Sequence, residues 1–349
     1  MSNPDKHTQE APASGSVSKE PSAHPFMEMA KVVVARPEFV SFLALILLTL
    51  FTACYVDFGH DGAARFLTLD NLTNITRQVA VAAILAVGMT FVILTGGIDL
   101  SVGAVVALTS TLMAGAIIGG VPFWGACGIA LLVGVACGVF SGFFVARFAL
   151  PAIIVTLAMM EIARGLGLLY SGGNPLPISF EYGFLARNLS VGGFPVPIPT
   201  LIMLAMFLIG YIVLNRLPIG RYIYALGGNE EAAILSGIRT RHIKMFVYVV
   251  SGFMAAVAGI IQTARVTSGQ PNSAIGFELD AIAAVVLGGT SIAGGRGHIV
   301  GTLIGALLLG VLNNALNMLE ISPYAQRVVK GGVILIAVLI GVLRKTGKK

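Results

Sequence analysis

Ten apolar stretches of roughly membrane-crossing length follow one another along this chain, and nothing constrains its fold more. A transmembrane helix needs about 20 predominantly apolar residues. The stretches near 39–56, 79–95, 103–119, 123–145, 151–171, 198–215, 244–266, 279–292, 298–319 and 326–343 supply them. Residues 279–292 are short and interrupted by Gly, which predicts a broken or partly re-entrant helix. Only 11% of the 349 residues are charged, against about 25% in soluble domains. That is too little polar side chain to cover a water-exposed surface, so a soluble enzyme, a secreted disulfide scaffold and a disordered chain are excluded. The 43 glycines fit close helix packing in a bilayer. Strict two-residue alternation is absent, so a β-barrel loses to an all-α, polytopic membrane bundle of about ten helices.

Residues 1–37 differ in kind: rich in Ser, Pro, Lys, Glu and Ala, they predict a disordered cytoplasmic tail. They are not a signal peptide, because the apolar run starts only near Phe39, has full membrane length and is followed by no small-residue cleavage site. The membrane domain spans 38–345, and 346–349 form a basic C-terminal tail. Arg216, Arg221, Arg239, Arg241 and Lys244 sit in one connector, with Arg147, Lys31, Arg36 and the C-terminal Arg344, Lys345, Lys348 and Lys349 on the same side of a ten-span count. The positive-inside rule then puts both termini in the cytoplasm. The net charge of +6 is topology, not a nucleic-acid footprint. Cys54, Cys127 and Cys137 lie in apolar runs with no metal or disulfide spacing, and the five histidines are scattered, so no metal site is expected.

Several stretches carry candidate function. In the connector 216–243, Asn229 is a good helix N-cap, Glu230 and Glu231 suit the positive end of a helix dipole, and Gly237 suits the stop. A helix of about two turns follows, lying outside the bilayer, with Ala232, Ala233, Ile234 and Leu235 as contact residues. It reads equally as a docking element and as an ordinary connector. In the run 95–103, Gly96 and Gly97 break a helix beside Asp99, which is able to cap the next helix, and Ser101, which satisfies freed backbone. An acid there must face protein or water. Glu161 and Arg164 share a helix face at i, i+3 and favour a self-neutralising pair. Asn313, Asn314 and Asn317 crowd the ninth stretch; Asn313 and Asn317 share a face, suited to bonding a neighbouring helix or a hydroxylated solute. Glu278 and Asp280 precede the eighth stretch, on the outer side in this count. Residues 92–107 and 286–306 also resemble each other, each an apolar end, a Gly-rich break and a Gly/Ala helix. Paired interruptions of this kind point to a pathway between repeats, here a parallel one with both breaks on the cytoplasmic side.

No phosphate-cradling loop, nucleophile–base pair or dinucleotide fingerprint is present, so no enzyme is expected.

The runs ILTGGIDLSVGAVVAL, GRYIYALGGNEEAAILSGI and ARVTSGQPNSAIGFELDAIAAVVLGGTSIAGGRGHIVGTLIGALLLGVLNNALN, in this order, resemble the permease of bacterial ATP-binding-cassette sugar importers of the ribose-transport type. The resemblance covers about residues 70–343. It implies a ten-span permease of the bacterial inner membrane, paired with a second permease chain. Its partners are a cytoplasmic ATP-binding subunit that uses ATP and Mg, with no cofactor held by this chain, and a periplasmic sugar-binding protein. It further implies that Gly228, Asn229, Glu230, Glu231, Ala232, Ala233 and Gly237 form the coupling helix. Gly96, Gly97, Asp99, Ser101, Glu161, Asn313, Asn314 and Asn317 stand as pathway or helix-break candidates, and Glu278 and Asp280 as contacts of the binding protein. Ribose-like pentoses lead as cargo. The rival reading is an ion-coupled secondary transporter working through Asp99, Glu161 and Arg164.

Overall fold

A computed structural model of the protein describes residues 37–59 and 65–346. The expected N-terminal tail, apart from its last residue, and residues 347–349 lie outside the described residues. Twelve α-helices follow in the described chain: α1 Pro37–Gly59, α2 Leu69–Leu94, α3 Val102–Ile118, α4 Phe123–Arg147, α5 Ala152–Ser171, α6 Ile198–Asn215, α7 Pro218–Gly228, α8 Glu230–Leu235, α9 Thr240–Val266, α10 Phe277–Leu287, α11 Ile299–Met318 and α12 Pro323–Thr346. Seven of these (α1, α2, α4, α5, α6, α9 and α11) are long and apolar enough to cross a membrane, and α3 is a shorter apolar helix. The ten expected stretches coincide with all but α7 and α8, which lie in the basic connector. The protein is a polytopic helical membrane bundle.

The eighth stretch is broken, as its glycines suggest. Helix α10 has 11 residues, which rise about 16 Å, half of a hydrocarbon core about 30 Å thick. Elsewhere the boundaries move outward. Helix α2 starts ten residues before the expected 79, because Thr68 accepts a hydrogen bond from Asn71 N–H and starts a polar first turn that apolarity alone does not reveal.

Helix α2 is the central post. Every residue from Val79 to Leu94 except Ala82 is buried, as suits a helix that is apolar all round. Lipid is as apolar as a leucine side chain, so helices here associate by close packing and buried hydrogen bonds. Both are visible. Gly134, Gly138 and Gly142, four residues apart on α4, face α9, where a Cβ on Gly138 would collide with the Tyr248 carbonyl and one on Gly252 with the Gly134 carbonyl. Thr90 and Thr302 share a 2.8 Å hydroxyl bond between α2 and α11, and Thr263 donates to Ser110 Oγ at 2.8 Å between α9 and α3.

Two small antiparallel ribbons, not foreseen for an all-α chain, cover one end of the bundle. Strand β1 (Leu176–Pro177) pairs with β4 (Ser268–Gly269), and β2 (Asn188–Val191) with β3 (Phe194–Pro197). The second ribbon turns at Gly192-Gly193, both with positive φ, as a two-residue hairpin loop requires. Nearby, Phe123 stacks on Tyr182 at 5.8 Å and Trp124 is largely exposed, the amphipathic aromatic pattern of a membrane–water boundary.

Candidate functional site

The basic connector is the most fully specified part of the molecule. Pro218 opens α7, whose Gly220, Ile223 and Leu226 turn inward at a spacing of three. The chain then extends at Asn229 (φ −161°), whose side chain accepts from Ala232 N–H at 2.9 Å and starts α8. Glu230 and Glu231 occupy the first turn. At the far end Ile238 N–H bonds Ala233 C=O and Gly237 N–H bonds Ile234 C=O, with Gly237 at φ +81°. That is the paired-bond stop that glycine permits. A Lys244–Glu230 ion pair at 2.7 Å ties α8 to the start of α9. Of the four expected contact residues, Ala233 faces the chain's own interior and is buried. Ala232 and Ile234 are exposed and Leu235 is 89% exposed. Ala232, Ile234 and Leu235 thus form a small apolar face that the described residues leave uncovered.

Behind α8 lies a joint made of backbone. Gly295 N–H donates to Leu94 C=O at 2.9 Å, and Tyr224 Oη donates to Gly297 C=O at 2.9 Å. A Cβ on Gly227 would collide with the Leu94 carbonyl, and one on Gly294 would meet Gly96 N at 2.8 Å. Thus the end of α2, the break between α10 and α11, and the end of α7 touch one another directly. The two similar Gly-rich breaks adjoin at the same end of the bundle. Gly228 was singled out from sequence; Leu94, Tyr224, Gly227 and Gly295 were not, since their partners lie up to 201 residues apart (295 minus 94).

The expected pathway residues divide into several environments. Asp99 is buried, and it does not cap α3 directly: Ser101 holds the N-cap position without a side-chain cap bond. One Asp99 oxygen accepts from Ser101 N–H (3.0 Å) and Oγ–H (2.6 Å), the other from Ser251 Oγ–H (2.7 Å). Gly96 adopts φ +80°, and Gly97 packs against the Tyr248 hydroxyl, so the break is a closed latch. Glu161 is exposed and makes no ion pair with Arg164, whose guanidinium instead donates to the carbonyls of Pro271 and Ser273, each at 2.8 Å. The reason is geometric: the irregular chain after β4 presents carbonyls that lack helical partners.

Asn314 and Asn71 exchange amide hydrogen bonds at 3.0 and 2.8 Å across α11 and α2, the helix-bonding role. Asn317 accepts from Gln326 at 2.8 Å, and the buried Asn313 Oδ1 has no partner. Removing Asn71 orphans the Asn314 amide, and removing Asn314 leaves Asn71 Oδ1 without its donor although Asn71 Nδ2 keeps the Phe66 carbonyl; an orphaned buried group costs about 1–3 kcal/mol. We therefore expect Asn71→Leu and Asn314→Leu each to lower the detergent melting midpoint, and the double variant to lose less than the sum. Additive losses in that cycle would contradict the pairing. Glu278 and Asp280 are half-buried. Glu278 accepts from Gly276 N–H at 3.1 Å and lies against Gly103, while Asp280 meets Lys330 of α12 at 3.4 Å.

Comparison with known proteins agrees with this architecture. Residues 71–338 match the family described as the branched-chain amino acid transport system / permease component. The ribose import permease protein RbsC of Haemophilus influenzae is 49% identical over 276 residues, 78% of this chain and 85% of that protein. The D-allose transport system permease protein AlsC of Escherichia coli is 40% identical over 286 residues, covering 81% and 86% of the two chains. The L-arabinose transport system permease protein AraH of the same species is 38% identical over 315 residues, covering 88% and 92%. With a capped helix outside a polytopic bundle, and a family match and transport-permease relatives over most of its length, this chain belongs to the branched-chain amino acid transport system / permease component family and is a transport subunit rather than an enzyme.

Proposed function

We propose that this chain is the membrane-spanning subunit of an ATP-driven monosaccharide importer, with ribose or a related sugar as cargo. The observation that carries this reading is α8: a helix capped at both ends, fixed to the bundle by the glycine joint and presenting Leu235 bare. The family is described by amino acid transport, whereas the relatives at 38–49% identity are permeases named for ribose, D-allose and L-arabinose, and it is these that favour a sugar.

In this reading α8 seats in a cytoplasmic ATP-binding subunit, which uses ATP and Mg. Closure of two such subunits pushes α8. Because Gly227, Leu94 and Gly295 meet backbone to backbone, with no side chain between them to absorb the push, α8 moves together with the ends of α2 and the α10–α11 break. The bundle then switches against a second permease chain, and sugar delivered by a periplasmic binding protein passes between them. Both termini lie in the cytoplasm of a bacterial inner-membrane protein. The ion-coupled alternative finds little support at Asp99, whose two oxygens are occupied by three donors of its own chain.

The test is a gentle detergent purification of the tagged chain from native membranes, with mass spectrometry of what stays bound, followed by reconstitution. A stoichiometric ATPase and ATP-dependent uptake of radiolabelled ribose or another monosaccharide are expected. A chain that purifies alone and moves solute in liposomes without ATP would overturn the proposal.

A further inference from the structure

Between β4 and α10 the chain crosses a membrane-embedded region without regular structure. Residues 270–276 are neither helix nor strand. They run beside α3, since Gly269 packs against Ala114 and Thr111, while the Ala274 carbonyl lies against Gly103. The α3 interval from 103 to 114, which the segment follows, rises about 16 Å. The segment therefore supplies the half-crossing that α10 lacks.

Irregular backbone survives at this depth only where its polar groups are satisfied and it is buried in protein or lines a water-filled cavity. Much of the backbone here is satisfied. Arg164 of α5 bonds the carbonyls of Pro271 and Ser273, Ser273 bonds the Gln270 carbonyl through N–H (3.1 Å) and Oγ–H (2.8 Å), and Phe277 N–H bonds Ala274 C=O. The side chains are another matter. Asn272 is exposed and Gln270 half-buried, and neither amide has a hydrogen-bond partner among the described residues. Glu161, on the same helix as Arg164, is exposed as well. Free amides and a carboxylate facing hydrocarbon are costly, and such groups as a rule face a bundle interior or water.

We propose that Gln270 and Asn272, on the unwound segment braced by Arg164, form a contact strip for a neutral polyhydroxylated solute in transit, with Glu161 at its edge. The inference rests on the importer reading and deepens it. An amide both donates and accepts, as sugar hydroxyls do. The unwound backbone shows why the strip is placed here: Arg164 is spent on carbonyls, so the side chains of residues 270 and 272 stay free.

The test uses the full chain with its ATPase, with Cys54, Cys127 and Cys137 replaced by alanine and a single cysteine introduced. A charged, membrane-impermeant thiol reagent is expected to modify Asn272→Cys at least about tenfold faster than Leu132→Cys, an exposed position in the middle of α4. In proteoliposomes with D-ribose as probe, Asn272→Ala is expected to lower uptake about tenfold, the equivalent of one lost hydrogen bond, while the ATPase still co-purifies. Equal, slow labelling at 272 and 132 would mean that the strip faces lipid. Fast labelling with undiminished uptake by Asn272→Ala would leave a wet surface with no role in contact. Either of these two results overturns the proposal. Failure of the importer reading is seen separately, as absence of a bound ATPase or of ATP-dependent uptake in the unsubstituted chain.

Discussion

Gly227→Val is expected to abolish coupled transport, whereas Gly228→Val, one residue away, is expected to leave it nearly intact. At Gly227 a side chain would enter the Leu94 carbonyl and meet Gly295 N at 2.6 Å, while a Cβ on Gly228 meets nothing within 4 Å. Neither glycine has a positive φ, so backbone strain does not separate them. What separates them is contact. Forcing atoms into a packed backbone joint costs about 1–3 kcal/mol and is relieved by movement. The joint's freedom to move is limited, because the Leu94 carbonyl is already bonded to Gly295 N–H. The strain therefore parts α7 from the end of α2 and the α10–α11 break, the contact through which a push on α8 would reach those two breaks. Measuring ATP-dependent ribose uptake alongside the ATPase rate separates loss of coupling from loss of assembly. Hydrolysis that continues while uptake falls is the expected signature. Equal uptake by the two variants would remove the joint from the mechanism.

That joint also marks the limit of what the sequence reveals. Local signals were legible where a single stretch of chain contains both halves of an interaction. Asn229 caps α8 and Gly237 ends it because cap and helix are neighbours, and the ten apolar stretches coincide with helices because burial in lipid depends on each segment's own composition. Contacts between distant stretches were not legible. Asn314 was expected to bond either a solute or a helix, and only the fold shows Asn71 opposite it. Arg164 was paired with Glu161 by helical spacing, but that spacing carries no information about the unpaired carbonyls of Pro271 and Ser273. Glu278 and Asp280 were placed on the outer side by the ten-span count, and that count carries no information about their packing against Gly103 and Lys330. Helix α7 was absorbed into a loop because its Pro218 and glycines resemble turn signals, although Pro suits the first turn of a helix.

The second large effect is expected at the exposed face of α8. Leu235→Asp combined with Glu231→Lys is expected to release the ATPase subunit, lowering its recovery with the purified chain at least about tenfold. A hot-spot apolar anchor is commonly worth 2 kcal/mol or more, and Leu235 is the barest large side chain on this helix. Within the chain itself the substitutions cost little. Leu235 and Glu231 are both exposed, and Glu231 takes no part in the ion pair between Lys244 and Glu230. The melting midpoint of the isolated chain should therefore stay within a degree or two, since surface changes of this kind usually fall within about 0.5 kcal/mol. Ala233→Leu provides the contrast. Ala233 is buried beneath α8, so enlarging it is expected to lower the midpoint and to disturb docking only through the displaced helix. A Leu235→Asp, Glu231→Lys chain that retains its ATPase in full, with Ala233→Leu destabilised as expected, would make α8 a capped connector and move the docking surface elsewhere on the basic face.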